Sequence, residues 1–181
     1  MTERQFTTVR TRTVADLKFI SVQLRDVLTP SGSSVERAVV THPGAVAVVP
    51  IIDGDIIMIE QYRVAVDRYV LEIPAGKLDG PDERRIDTAH RELEEETGLL
   101  ASNMTKLVDL LTSVGFSDEV ITVYLGEGLS QGDRAPVGDE EVEARIVRMP
   151  FQSAIDAVHS GEITDAKSIA GILLAAQRVA P

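Results

Sequence analysis

Glu92, Glu94, Glu95 and Glu96 fall within five consecutive positions, in the stretch Arg91-Glu92-Leu93-Glu94-Glu95-Glu96-Thr97-Gly98-Leu99. The stretch reads as a helix that ends at a glycine. At about 100° per residue, Glu92 and Glu96 project about 40° apart, and Glu95 lies about 60° to the other side of Glu92. These three share a face. Glu94 projects about 200° from Glu92 and points away. Two carboxylates ~5 Å apart repel by about 3 kcal/mol at an effective dielectric of ~20. Three on one face therefore need compensation, and a divalent cation supplies it economically, because hard cations such as Mg²⁺ take oxygen ligands. For the glutamates alone, a solvated acidic helix face is the commoner explanation.

The elements around the cluster decide between the two. Thr7 to Val14 and Leu17 to Leu28 read as strands before a turn at Thr29-Pro30-Ser31-Gly32, and Ser34 to Thr41 as another. Ala45 to Ile52 and Asp55 to Gln61 are apolar runs flanking Asp53-Gly54, a strong hairpin signal. Pro50, with no N–H, predicts an edge strand or a bulge. Tyr69 to Ile73 is a further strand, and Pro74 to Pro81 is a loop by composition. Asp82 is the expected N-cap of a helix over Glu83 to Thr97, with Gly98 closing it and Ile86, Ala89 and Leu93 on the core side. Met104 to Leu111, Val120 to Gly126 and Val142 to Met149 read as strands, and Phe151 to His159 and Ala166 to Val179 as helices. Gln131 to Glu141 reads as a loop. Strands and helices interleave without regular βαβ alternation. The expected class is α/β (α+β), a mixed sheet sandwiched between helices and preceded by an antiparallel β segment. The expected organisation is an N-terminal strand segment at 1–41 and a main domain at 42–181.

Composition narrows the chemistry. A chain of 181 residues, 44% apolar, allows one cored domain, or one domain with a small appendage. Its net charge of −11 argues against a general nucleic-acid or anionic-membrane binder. The absence of cysteine excludes disulfides, thiolate metal sites and a cysteine nucleophile. Met1 to Leu17 is charged throughout, unlike a signal peptide. The longest uncharged run, Ala38 to Ile52, is 15 residues long and broken by Pro43, Gly44 and Pro50, too short for a membrane span. The expectation is a cytoplasmic protein.

A strand, a glycine loop and a helix with three carboxylates on one face together resemble the Nudix box. Its pattern is Gly-x₅-Glu-x₇-Arg-Glu-apolar-x-Glu-Glu-x-Gly-apolar. Arg91, Glu92, Leu93, Glu95, Glu96, Gly98 and Leu99 match its second half, and Glu83 lies eight residues before Arg91, as the pattern asks. Gly76 lies seven residues before Glu83 rather than six, so the loop is one residue longer, an insertion a Gly-Pro turn absorbs. The resemblance implies Mg²⁺ or Mn²⁺ held by Glu92, Glu96 and Glu95 with the backbone carbonyl of Ala75, Arg91 orienting the glutamates, and hydrolysis of a diphosphate linked to another group.

Glu60-Gln61-Tyr62-Arg63, Leu71-Glu72-Ile73-Pro74-Ala75-Gly76-Lys77-Leu78-Asp79, His42-Pro43-Gly44-Ala45-Val46 and Gly161-Glu162-Ile163-Thr164-Asp165-Ala166-Lys167 further resemble the ADP-ribose pyrophosphatases. That likeness implies cleavage of ADP-ribose to AMP and ribose 5-phosphate. Arg63 would contact phosphate or ribose, Glu72 the sugar or the loop backbone, and Arg37 the adenine or diphosphate. Gly76, Gly115 and Phe116 complete the implied substrate contacts. One residue departs from the pattern: Val114 stands where Ser-Pro-Gly-Phe would carry proline. Another nucleotide sugar or dinucleotide is the alternative substrate, and a non-catalytic nucleotide-binding regulator the alternative class. Within the subfamily the general base tends to come from an acidic loop after the box. Asp139-Glu140-Glu141-Val142-Glu143 is that loop here, with Glu141 the first choice and Glu140 the second. His42, His90 and His159 have no partner pattern and read as structural. The strand-rich N-terminus and the family together imply a homodimer that exchanges its N-terminal segments.

Overall fold

The computed structural model describes residues 5–80, 82–137 and 139–179, with the backbone alone at Asp139 and Glu140. The chain divides into two units: one comprises the residues up to Gly44 with Leu111–Val120, the other Ala45–Leu110 and the residues from Ile121 onward.

In the first unit, β1 (Thr7–Leu17), β2 (Ile20–Leu28) and β3 (Ser34–Thr41) form an antiparallel meander. The first turn falls at Lys18, which takes a positive φ of 38°, so β1 runs further than its alternation suggests. The loop Thr112–Glu119 is fastened to the end of β3. Val40 N–H donates to the Phe116 carbonyl at 2.7 Å, and His42 N–H donates to Asp118 at 2.9 Å.

The second unit is built on a mixed seven-stranded sheet. β4 (Ala45–Ile52) and β5 (Asp55–Arg63) are joined by Asp53 and Gly54, both with positive φ (54° and 83°), the geometry that favours Asp-Gly in a tight hairpin. β6 (Arg68–Glu72) pairs with β5, and β7 (Ala75–Lys77) with β4. After α1 (Arg85–Thr97) come β8 (Leu99–Leu111), β9 (Val120–Gln131), α2 (Asp139–Val142), β10 (Arg145–Pro150), α3 (Phe151–Ser160) and α4 (Ala166–Ala176). The main path is β10-β5-β4-β9-β8, with β4 and β9 parallel.

Alternation along β4 splits the core in two. Val46 and Val48 face Ala89 and Leu93 of α1, while Ala47 and Val49 face Ala154 of α3 and Ile172 and Ala175 of α4. The sheet is therefore a filling between helices, as the sequence predicts. No helix among the described residues is long and apolar enough to cross a membrane.

Several expectations are corrected. Pro50 lies in a central strand. Val48 N–H donates to the Pro74 carbonyl, so the same edge of β4 at Pro50 faces the gap between β7, paired up to Ala47, and β5, paired from Ile51. The missing N–H falls where no partner strand waits. The expected loop Pro74–Pro81 contains β7. Helix α1 starts at Arg85, with Arg84 as N-cap and no side-chain cap. Asp82 does not cap it, because Glu83 is turned back onto the loop, accepting Asp79 N–H at 2.7 Å. Val142 belongs to α2 and the last strand starts at Arg145, while β8 begins already at Leu99 and β9 extends to Gln131.

Candidate active site

Packing of Ala89 and Leu93 on β4 brings the neighbouring acidic face of α1 over β7, the short strand beside it. Ala75 N–H donates to Glu96 Oε2 at 2.8 Å. Gly76 lies under Glu92: a Cβ there would stand 1.9 Å from Glu92 Cδ and 2.2 Å from each carboxylate oxygen. The glycine of the motif thus makes room for a carboxylate and not only for a turn. Gly98 closes α1 in the left-handed conformation (φ 69°), its N–H donating to the Glu94 carbonyl.

Arg91 organises the rim. One terminal nitrogen donates to Glu92 Oε1 at 2.8 Å and to Glu95 Oε2 at 3.0 Å. The other donates to Glu83 at 3.2 Å and lies 3.4 Å from Asp79. Glu83 links Arg91 to the loop, which explains why the motif needs it eight residues earlier. Glu94 lies on the other side, near Gly132.

The cluster is short of positive charge. Glu92 is 7% exposed and Glu96 4%. Burial pushes the Glu92 carboxyl up to about 7 even with Arg91 beside it, and Glu95 and Glu141 add repulsion. Burial pushes Glu96 up to about 8, opposed by the Ala75 N–H and reinforced by Glu92 and Glu141. Among the described residues, no three acidic or histidine side chains already converge on one point. Glu92 and Glu95 face Arg91, and Glu96 faces the Ala75 amide. The donor set nevertheless fits a divalent cation: hard oxygens, buried, with more negative charge than the protein neutralises.

Glu141 is at the end of the chain segment that returns to this face. It is half-buried, accepts Val137 N–H at 2.9 Å, and its charge reaches both Glu92 and Glu96. The side chain of Glu140 lies outside the described residues. Arg134, which the sequence reading did not single out, ties this segment down. Its Nε donates to the Glu96 carbonyl at 2.8 Å, and one terminal nitrogen donates to the carbonyls of Glu141 (2.8 Å) and Ala144 (3.2 Å). The available signal was that Arg134 is the sole Lys or Arg between Lys106 and Arg145.

A second ionic cluster adjoins the first. Arg63 grips Glu72 with two parallel hydrogen bonds of 2.6 and 2.7 Å. Lys167 donates to Glu72 Oε2 and, at 3.0 Å, to Asp165, the N-cap of α4. Burial raises the 2%-exposed Glu72 carboxyl, but the hydrogen bonds and charges of Arg63 and Lys167 outweigh it and hold the group below the ordinary carboxylate value. The Arg63 charge also reaches Glu96. Arg63, Arg68, Val70, Glu72 and the segment Thr164–Lys167 line a cleft of about 380 Å³. The sequence around Lys167 gives no sign of its role, because its partner Glu72 is 95 residues away.

The second unit thus gathers Arg63, Glu72, Ala75, Gly76, Arg91, Glu92, Glu95, Glu96 and Glu141. Arg37, Gly115 and Phe116 belong to the first unit. Arg37 is exposed on β3 and donates to the Glu36 carbonyl at 2.8 Å. Phe116 and Val114 are exposed, and Gly115 has open space around it.

A helix-sheet-helix sandwich with buried carboxylates over a glycine strand, an acid on a returning segment and a clamped arginine beside them defines a recognisable class of protein. Comparison with known proteins gives that class its name. The NUDIX domain family model matches residues 41–171. The chain is 42% identical over 152 residues to the ADP-ribose pyrophosphatase of Bacillus subtilis, covering 83% of this chain and 82% of that protein. It is 37% identical over 166 residues to the methanol dehydrogenase activator of Bacillus methanolicus, covering 91% and 89%. Among solved structures, an ADP compounds hydrolase superposes with a TM-score of 0.82 at 26% identity, covering 97% of this chain and 95% of that one. The chain belongs to the Nudix family, and it is a Nudix hydrolase. Hydrolases of this family generally use divalent metal cations.

Proposed function

We propose that the chain hydrolyses ADP-ribose to AMP and ribose 5-phosphate. The observation that carries the reading is the pair of buried, under-compensated carboxyls, Glu92 and Glu96, seated over Gly76 and Ala75. The names of the Bacillus subtilis relative and of the solved ADP compounds hydrolase point to the substrate. Glu92, Glu96, Glu95 and the Ala75 carbonyl would hold Mg²⁺ or Mn²⁺. When bound, the cation supplies Lewis acidity toward the diphosphate and lowers the pKa of the attacking water.

The chain's own residues do the rest. Arg91 orients the carboxylates by charge-assisted hydrogen bonds. Arg63, held planar against Glu72, presents its charge to a diphosphate oxygen, and Arg37 takes the adenine or the diphosphate. Glu141 accepts the proton of the water, with Glu140 as the second candidate. Water adds to one phosphorus, the bridging P–O bond breaks, and the two phosphate products leave as AMP and ribose 5-phosphate. Gly115 and Phe116 belong to the substrate loop.

The N-terminal segment, residues 1–41, serves dimerisation beside the catalytic domain at 42–181. Exposed Phe6, Val9, Val14, Leu17 and Phe19 support a homodimer with exchanged N-terminal segments, which light scattering in solution tests; a monomer would contradict it. The setting proposed with this reading is the cytoplasm.

Val114, in place of the loop proline, favours testing a second reading, another nucleotide sugar. The experiment is a panel of nucleoside diphosphate derivatives with Mg²⁺ or Mn²⁺, followed by AMP release. ADP-ribose should have the highest kcat/KM. Equal turnover of ADP-glucose or diadenosine compounds would overturn the substrate assignment.

A further inference from the structure

The carbonyls at the end of α1 are satisfied by the helix's own cap and by one loop. Gly98 N–H takes the Glu94 carbonyl, Ala135 N–H takes that of Glu95 at 3.1 Å, and Gly132 N–H takes that of Gly98 at 2.8 Å. The Glu96 carbonyl takes the Arg134 Nε–H. The last carbonyls of a helix have no intrahelical partner, and a cation there also meets the negative end of the helix dipole. Capping alone would be served by one hydrogen bond. Arg134 makes two more, to Glu141 and Ala144, so one guanidinium joins the helix that carries Glu92 and Glu96 to the segment that carries Glu141.

We infer that Arg134 is a positioning residue that holds the Glu141 segment at the end of α1 and thereby sets the proton acceptor against the box. This rests on the reading of Glu141 as the base. The planar fork matters, because the three acceptors are met from two nitrogens held rigidly apart, whereas the three donors of an ammonium sit on one rotatable nitrogen. No other Lys or Arg between Lys106 and Arg145 is available to substitute.

The test compares Arg134→Ala, Arg134→Lys, Glu141→Gln and the double variant Arg134→Ala/Glu141→Gln, with ADP-ribose and saturating Mg²⁺. Glu141→Gln should lower kcat by about 10²-fold or more, the scale of general-base loss. Arg134→Ala should lower kcat about tenfold with KM within about twofold, and Arg134→Lys should fall between it and the parent. In the double variant Arg134→Ala should add nothing to the loss from Glu141→Gln, since the strut acts only through that carboxylate. Full kcat in Arg134→Ala overturns the inference, and so do fully multiplicative losses, which would place its effect on the box itself. Full kcat in Glu141→Gln overturns the underlying reading instead, and is seen in the single variant. Hydrogen exchange guards against a merely unfolded variant: residues 139–145 should exchange faster in Arg134→Ala while α1 keeps its protection. Equal loss of protection in both segments would contradict the inference.

Discussion

Glu96 and Glu72 are both buried, at 4% and 2% exposure, yet their carboxyls are pushed in opposite directions. Burial raises both. What separates them is the count of partners. Glu72 has Arg63 on both oxygens and Lys167 on one, so its charge is answered within the protein. Glu96 has one backbone N–H and faces Glu92, which shares Arg91 with Glu95 and Glu83. The Glu72 cluster is a closed clamp that fixes Arg63. The Glu96 cluster is open, and closing it takes positive charge from outside. One region is balanced in charge; the other is not.

Three changes sharpen that contrast. Gly76→Ala has the largest expected effect, because its Cβ occupies the space of the Glu92 carboxylate. Displacing that group by about an ångström should lower kcat by about 10²-fold, read by steady-state assay, while far-UV circular dichroism stays unchanged. A fully active Gly76→Ala would mean that Glu92 has no fixed place in the reaction. Lys167→Met opens the clamp. It should cost about 2 kcal/mol in urea unfolding, below the ~3–5 kcal/mol of stranding a buried charge because Arg63 still pairs with Glu72. It should lower kcat/KM less than Gly76→Ala does.

The third change is of pH, in the presence of chelator. The folded carboxyls of Glu92 and Glu96 lie above the ordinary 4.5, at about 7 and about 8. The folded chain therefore holds more protons than the unfolded chain across that window, and these groups lower stability as pH rises through it. Glu72 has the opposite sign: its contribution is present above the ordinary carboxyl value and is lost as pH falls through its depressed one. Unfolding free energies from urea titration should fall by a few kcal/mol between about pH 6 and about pH 8.5, and a divalent cation should remove the drop. A flat profile would mean that the acidic cluster is already compensated.

The parts of this contrast carried by local chemistry were legible in the sequence. Helical phase placed Glu92, Glu95 and Glu96 together and Glu94 apart; Asp53-Gly54 marked its hairpin, and Gly98 its helix end. The spacing of Glu83 marks a motif position, and the structure supplies its physical content as the link between Arg91 and the Asp79 loop. The parts that depend on chain return were not legible. β7 is three residues long, too short for a periodicity, and sits among turn-forming residues. Lys167 and Glu72 are far apart in sequence, and neither type announces burial. Arg134 reads as an ordinary surface arginine, because its acceptors are backbone carbonyls, which carry no residue signature. Pro50 misled for a related reason: proline excludes a hydrogen bond on one edge of a strand, and only the pairing of both edges tells where that strand lies.

On this reading Glu92 and Glu96 form an open acidic site that a divalent cation would close. The direct measurement is Mn²⁺ binding to the parent chain and to Glu96→Gln, by calorimetry near neutral pH with no substrate present. The parent should bind Mn²⁺ and the variant should bind it at least about tenfold more weakly, the scale on which a lost ligand counts. Equal Mn²⁺ affinity in the two proteins would contradict it.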